Sequence, residues 1–364
     1  MNMKIIYILK NGYLLFPPCL AQLLYLNDMG VELEVYHGQN SDAINTILDN
    51  RGIKHYTLKS DRNNYTRLQS FQTLFEYTME IKKIIKSIPN ETILWFGNCE
   101  SCVTVGKIIY DRKFVLSVLE LDDTDSLIGK LLKKVINKAS VVLCCEKHRA
   151  AIMRIYYKLE REPYVLPNKP YEFQNDVVEL DDKYKKIIEP IKDKFIVLYQ
   201  GIVTPDRPLD KIADALNRLN DENIVFLVLG KTGEEYQVEL QKHYPRTVFG
   251  GFIPSPQHLL VTQHAKIGIA NYDYSCLNNL FCAPNKIYEY AKFGMPMITS
   301  SNIGLTETVG RANAAICVDF CDVGQIADGI NIIKGNYDFY SKSAIDFYEG
   351  TSNYETMKKV VEEL

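Results

Sequence analysis

Short apolar runs alternate with longer stretches in which apolar positions recur every three to four residues, from one end of the chain to the other. The runs predict strands over 4–9, 32–36, 53–58, 92–96, 114–119 and 141–145, and a second set over 195–199, 224–229, 247–249, 267–270, 295–299 and 315–318. Helices fall between them, the pattern of parallel sheets covered by helices on both faces. Beyond Val318 only helical periodicity is left, over 323–334, 337–348 and 354–364. Sheet logic stops and restarts at Leu166-Pro167-Asn168-Lys169-Pro170 and the acidic stretch that follows it to Asp182. The expected organisation is therefore a doubly wound α/β domain over 1–168, a second over 169–336, and C-terminal helices over 337–364 packing back toward the first. Two such domains are expected to face each other across a cleft, with ligands beyond the carboxyl ends of the strands.

Composition changes this picture little. The 364 residues suit two domains, and 46% hydrophobic with 24% charged residues excludes disorder, fibrous repeats and a disulfide scaffold. The first apolar run, residues 5–9, is too short for a signal-peptide core, and none approaches the roughly 20 residues that cross a bilayer. Nine scattered cysteines point to a reducing compartment, hence a cytoplasmic location. The net charge of −3 divides into +4 for residues 1–168 and −7 for the remainder, too little basic excess for nucleic acid but enough to suggest unlike domains.

Candidate chemistry concentrates in residues 283–296, Ala-Pro-Asn-Lys-Ile-Tyr-Glu-Tyr-Ala-Lys-Phe-Gly-Met-Pro, a short helix opened by proline and closed by glycine. At 100° per residue Asn285, Lys286 and Glu289 share one sector, while Ile287 and Tyr290 point elsewhere. Backbone N–H groups at the helix start and the Lys286 charge suit a phosphate, and Glu289 suits ribose hydroxyls.

The segment 279–305 resembles the donor-site region of retaining glycosyltransferases of family 4, which have the two-domain GT-B fold. Other pieces resemble that family in the same order. Leu198-Tyr199-Gln200-Gly201 with Arg207 matches its strand, glycine loop and basic residue. Phe226-Leu227-Val228-Leu229-Gly230-Lys231 matches its second strand, Val248-Phe249-Gly250-Gly251-Phe252-Ile253 the turn that holds the base, and Ser301-Asn302-Ile303-Gly304-Leu305 the loop under the donor. The resemblance implies a donor site at Gly201, Arg207, Lys231, Phe252, Ile253, Asn279, Cys282, Asn285, Lys286 and Glu289. Of the family's two glutamates eight positions apart only Glu289 is present, Phe281 standing at the other. A subset whose helix begins Pro-(Ser/Asn)-Lys also lacks the first. The family's first-domain histidine is absent as well; strand 114–119 runs instead into Glu120-Leu121-Asp122-Asp123, which makes Glu120 and Asp122 the candidates for activating or orienting an acceptor hydroxyl.

The resemblance implies sugar transfer with retention from a nucleotide diphosphate sugar, uridine being the first base to consider, in bacterial polysaccharide or glycolipid assembly. Arg207, Lys231, Lys286 and backbone N–H groups over 279–282 would stabilise the leaving diphosphate, so no cofactor and no metal is expected, and Asp123-Thr124-Asp125 is read as a chance match to a metal motif. The acceptor is a carbohydrate or lipid-linked hydroxyl. Lys130, Lys133, Lys134 and Lys138 line one side of an otherwise apolar helix, with Lys82, Lys83 and Lys86 as further members of a basic surface, which suits peripheral binding to the anionic inner face of a plasma membrane. Alternatives are a nucleotide-sugar epimerase of the same fold and a catalytically inactive binding partner. Cys99-Glu100-Ser101-Cys102 has the spacing of a redox motif but lacks a thioredoxin-sized domain around it.

Overall fold

The computed structural model describes residues 3–13, 16–59, 67–121, 126–172, 179–203, 207 and 209–364, with 67–71 as backbone only. The chain divides into two compact units, Met1–Tyr171 with Ser352–Leu364, and Glu172–Thr351.

The first unit holds seven strands: β1 Lys4–Leu9, β2 Glu32–His37, β3 Lys54–Thr57, β4 Ile93–Phe96, β5 Phe114–Val118, β6 Val141–Cys144 and β7 Tyr164–Val165. They pair in the order β3-β2-β1-β4-β5-β6-β7, all parallel. The second unit holds β8 Phe195–Gln200, β9 Ile224–Leu229, β10 Thr247–Gly251, β11 Ile267–Ala270, β12 Met297–Ser300 and β13 Ala315–Val318, in the parallel order β10-β9-β8-β11-β12-β13. In both sheets the chain starts in the middle, winds outward, returns and winds the other way. The reversal lies between β1 and β4 and between β8 and β11, and in open parallel sheets ligands bind beyond the carboxyl ends of the strands at such a point. Every residue of β4, β5, β8 after Phe195, β9, β11 and β12 is buried, as helices on both faces require.

The two sets of strands and the helical C-terminus agree with the pattern of the sequence; β7, only two residues long, has no signal there. The division between units falls after Tyr171 rather than 168, and the second unit extends to Thr351 rather than 336. The reason is the Tyr337–Glu349 helix, which does not return to the first unit. It packs on the Asn285–Ala291 helix, with Tyr288 and Phe347 stacked at 5.4 Å, and Gly294 (φ 61°) lets Ser341 and Ile345 approach its bare Cα. Only the Asn353–Glu363 helix joins the first unit, where Asn353 donates to the Pro167 carbonyl at 2.8 Å and Tyr164 donates to Glu363 at 2.7 Å.

Candidate donor site in the second unit

The carboxyl end of β8 sets the site's geometry. Gly201 and Gly230, which follow β8 and β9, have φ of 140° and 150°, and a Cβ on Gly230 would lie 1.9 Å from the Gly201 carbonyl oxygen. Only glycine permits this approach. A Cβ on Gly201 would in turn come within 3.1 Å of the Lys286 ammonium, so the bare Gly201 backbone forms one wall of the lysine's environment.

Lys286 and Glu289 lie on the seven-residue Asn285–Ala291 helix, preceded by Pro284. The sequence places them on a polar sector of that helix, and the structure turns this sector inward: Lys286 is 7% and Glu289 6% exposed. Both carboxylate oxygens of Glu289 are engaged. Oε2 accepts from the Gln200 side-chain amide and Oε1 lies 3.3 Å from His258 Nε2. Gln200 is oriented by Thr262, whose hydroxyl donates to its Oε1 at 2.8 Å, and the Gln200 backbone N–H donates to the Tyr290 hydroxyl at 3.2 Å. A carboxylate fixed this way is preorganised, with its remaining lone pairs available to hydroxyl donors.

Lys286 has no such partner among the described residues. Its Nζ is buried without a hydrogen bond to any of them, 4.5 Å from the centre of the Tyr199 ring and 5.4 Å from that of Tyr272. The Arg207 guanidinium lies over the same Tyr272 ring at 4.9 Å. Burial foremost, and then the Arg207 charge, draw the Lys286 pKa down from 10.5 to about 7, with Glu289 and Cys282 opposing them. Arg207 stays charged: burial works against it, but the hydroxyls of Tyr272 and Tyr199 outweigh that and leave its pKa raised. Two basic groups that share the Tyr272 ring, one of them with no acceptor among the described residues, form a corner suited to an anion.

The other candidate positions divide. Gly201, Arg207, Lys286 and Glu289 come together, with Cys282 buried behind them and Asn285 half-buried at the helix start. Lys231 is exposed, 5.7 Å from the ring of Phe252, itself 50% exposed, while Ile253 is buried in the core. Asn279 donates to Asp273 Oδ1 at 2.7 Å, and Asn302, fully buried, donates to the carbonyls of Asp273 and Asn279 at 2.9 and 3.0 Å. The backbone N–H groups over 279–282 are not available for a diphosphate: those of Asn279 and Leu280 donate to the Cys276 carbonyl, that of Phe281 to Leu277, and that of Cys282 to Asn279. They close the Leu277–Leu280 helical turn instead. Gln200, His258 and Thr262 carry no spacing signal; Gln200 alone could have been suspected, from its place at a strand's carboxyl end.

In the first unit Glu120 is exposed just beyond β5, whereas Asp122, with Asp123, Thr124 and Asp125, lies outside the described residues. Cys99 and Cys102 are buried in the Cys99–Val103 helix, and burial pushes the Cys102 thiol well above its usual range, which disfavours the reactive thiolate. None of the nine cysteines, all of them described, forms a disulfide. Among the described residues no group of three or more His, Cys, Asp or Glu is arranged to hold a metal ion, and no helix is long and apolar enough to cross a membrane.

The fold has counterparts among solved structures. The fold matches the Anabaena protein HepE in complex with UDP-glucose over 100% of both chains, at 14% identity and a TM-score of 0.70. Sucrose-phosphate synthase from Thermosynechococcus elongatus matches over 99% of this chain and 98% of its own, at 14% identity and 0.70. A candidate UDP-N-acetylglucosamine 2-epimerase from Listeria monocytogenes matches over 99% and 95%, at 10% identity and 0.64. A search of curated proteins finds no match by sequence. The architecture is thus that of GT-B glycosyltransferase structures, and residues 181–344, which contain the whole Arg207–Lys286–Glu289 corner, match the family described as Glycosyl transferases group 1.

Proposed function

We propose that the protein is a glycosyltransferase that moves a sugar from a nucleotide diphosphate sugar to a hydroxyl acceptor, with retention at the anomeric carbon. The observation that carries this reading is the buried corner in which Arg207 and a Lys286 with no hydrogen-bonding partner among the described residues stand beside a fixed Glu289, within the segment that matches the glycosyltransferase family. In such a transfer the barrier lies in departure of the diphosphate and in positive charge growing on the sugar. Arg207 and Lys286 stabilise the leaving group electrostatically, without a metal, and Glu289 accepts from ribose hydroxyls. Lys231 and Phe252, exposed at the end of β9 and beyond β10, flank the base. HepE binds UDP-glucose, which makes uridine the base to test first.

The acceptor is assigned to the first unit, where Glu120 and Asp122 follow β5, and its class is a glycan or lipid-linked hydroxyl of bacterial polysaccharide or glycolipid assembly. Lys130, Lys133, Lys134 and Lys138 are all exposed, and Leu127, on the same side of the Leu127–Val135 helix as Lys130 and Lys134, is 66% exposed. Basic residues around a protruding apolar side chain suit an anionic membrane surface.

A thermal-shift panel of UDP-, GDP- and dTDP-sugars, followed by slow hydrolysis of the best ligand, tests the reading. Stabilisation together with hydrolysis that resists excess EDTA is expected. Stabilisation without hydrolysis would leave a binding partner, and no stabilisation by any nucleotide sugar would overturn the donor site. The likeness to the Listeria candidate epimerase supports one second reading, which acceptor-free conversion of a nucleotide sugar to its epimer would reveal.

A further inference from the structure

The state of Lys286 has a consequence for how a diphosphate binds. Titratable or charged groups face it from several elements. Tyr199 lies on β8, Arg207 in the loop after it, Tyr272 after β11, Cys282 before its own helix, and Glu289 one turn along that helix. His258, on the Gln257–Thr262 helix, acts one step further away, through Glu289. Among the described residues the carboxylate acting on Lys286 is Glu289, and both its oxygens are held by Gln200 and His258. Arg207 cannot yield a proton, because a guanidinium stays charged in proteins. The group that yields is therefore the lysine, buried and without an acceptor among the described residues.

Resting on the donor-site reading above, we propose that this site takes up a proton together with its ligand: Lys286 changes from amine to ammonium as the nucleotide diphosphate is seated, the proton coming from solvent. The phosphate oxygens supply the acceptors that the protein withholds, so the bound state favours the ammonium, while Arg207 and burial disfavour it in the protein alone. The lowered pKa of about 7 sets the range in which the exchange is visible.

The experiment is isothermal titration with UDP-glucose, UDP-N-acetylglucosamine, GDP-mannose and dTDP-glucose in buffers of different ionisation enthalpy, between pH 6 and 8.5. These diphosphate diesters do not themselves titrate in that range, so protons counted belong to the protein. Uptake of close to one proton per ligand at pH 8 is expected, falling to a small fraction at pH 6. Affinity should weaken by about an order of magnitude from pH 7 to 8.5, as linkage to one such proton requires. In Lys286→Arg, charged throughout, uptake at pH 8 should vanish. Lys286→Met should bind more weakly at pH 7, with the parent approaching it as the pH rises. Tight binding without proton uptake overturns the inference and leaves the donor site standing; uptake that persists in Lys286→Arg assigns the proton to another group, such as His258, and also overturns it. No binding by any of the four ligands overturns the donor-site reading itself.

Discussion

Two helices carry the lysines that stand out in this sequence, and the fold treats them in opposite ways. On the Leu127–Val135 helix Lys130, Lys133 and Lys134 point to solvent while Leu132 and Val135 enter the core, the ordinary division of an amphipathic helix. On the Asn285–Ala291 helix every residue from Lys286 to Ala291 is buried, lysine and glutamate included. The first arrangement needs no partner, because a solvated ammonium costs the protein almost nothing. The second is held against a desolvation cost that the structure relieves for Glu289 with hydrogen-bonding partners, Gln200 and His258, and for Lys286 only with the faces of Tyr199 and Tyr272 among the described residues. A buried charge without a hydrogen-bonding partner is a stronger pointer to function than an exposed one.

The largest effect that could break this contrast is expected from Glu289→Ala. It removes the proposed ribose acceptor and strands the Gln200 amide, so nucleotide-sugar turnover should fall to background. Chemical unfolding should also register about 1–3 kcal/mol of lost stability, since a buried donor is left unsatisfied. Glu289→Gln should keep part of both. Turnover at the parental rate in purified Glu289→Ala would separate this helix from catalysis.

Lys286→Met should act in the opposite direction on stability. The folded pKa of about 7 lies below the unfolded value near 10.5, so between these limits the unfolded chain binds more protons and parental stability rises with pH. The destabilisation is fully present below pH 7 and fades toward pH 10. The ligand-free variant should therefore melt several degrees above the parent at pH 7, with the gap closing as pH rises, while its thermal response to nucleotide sugars at pH 7 is smaller than the parent's. A lower melting temperature for the variant at pH 7 would mean that Lys286 is satisfied inside the protein.

The smallest structural effect is expected on the other helix. Reversing Lys133 and Lys134 to glutamate should change stability by under about 0.5 kcal/mol and leave nucleotide affinity as it was. Release from anionic vesicles, with weaker salt dependence, would support the membrane reading. Equal sedimentation of parent and variant would leave a plain solvated face.

The sheets were largely legible because their strands are continuous apolar runs, such as Ile224–Leu229, whose burial on both faces follows from composition alone. Tyr164–Val165 was not, since two residues show no period. The Tyr337–Glu349 helix was legible as a helix but not as part of the second unit; that depends on Gly294 and Phe347 meeting partners from distant segments. At the site, helical spacing placed Lys286 and Glu289 on one side, but a helical wheel does not say what covers that side. Gln200, His258 and Thr262 arrive from other elements, and the Asn279–Cys282 backbone, expected to bind phosphate, spends its N–H groups on a local turn.

The Arg207–Lys286–Glu289 corner is proposed to receive the nucleotide diphosphate. A crystal structure of the protein with the nucleotide sugar that stabilises it most tests this directly. Diphosphate oxygens are expected within about 3 Å of Lys286 Nζ and the Arg207 guanidinium, with ribose hydroxyls on Glu289. A nucleotide bound elsewhere, with Lys286 still without an acceptor, would contradict it.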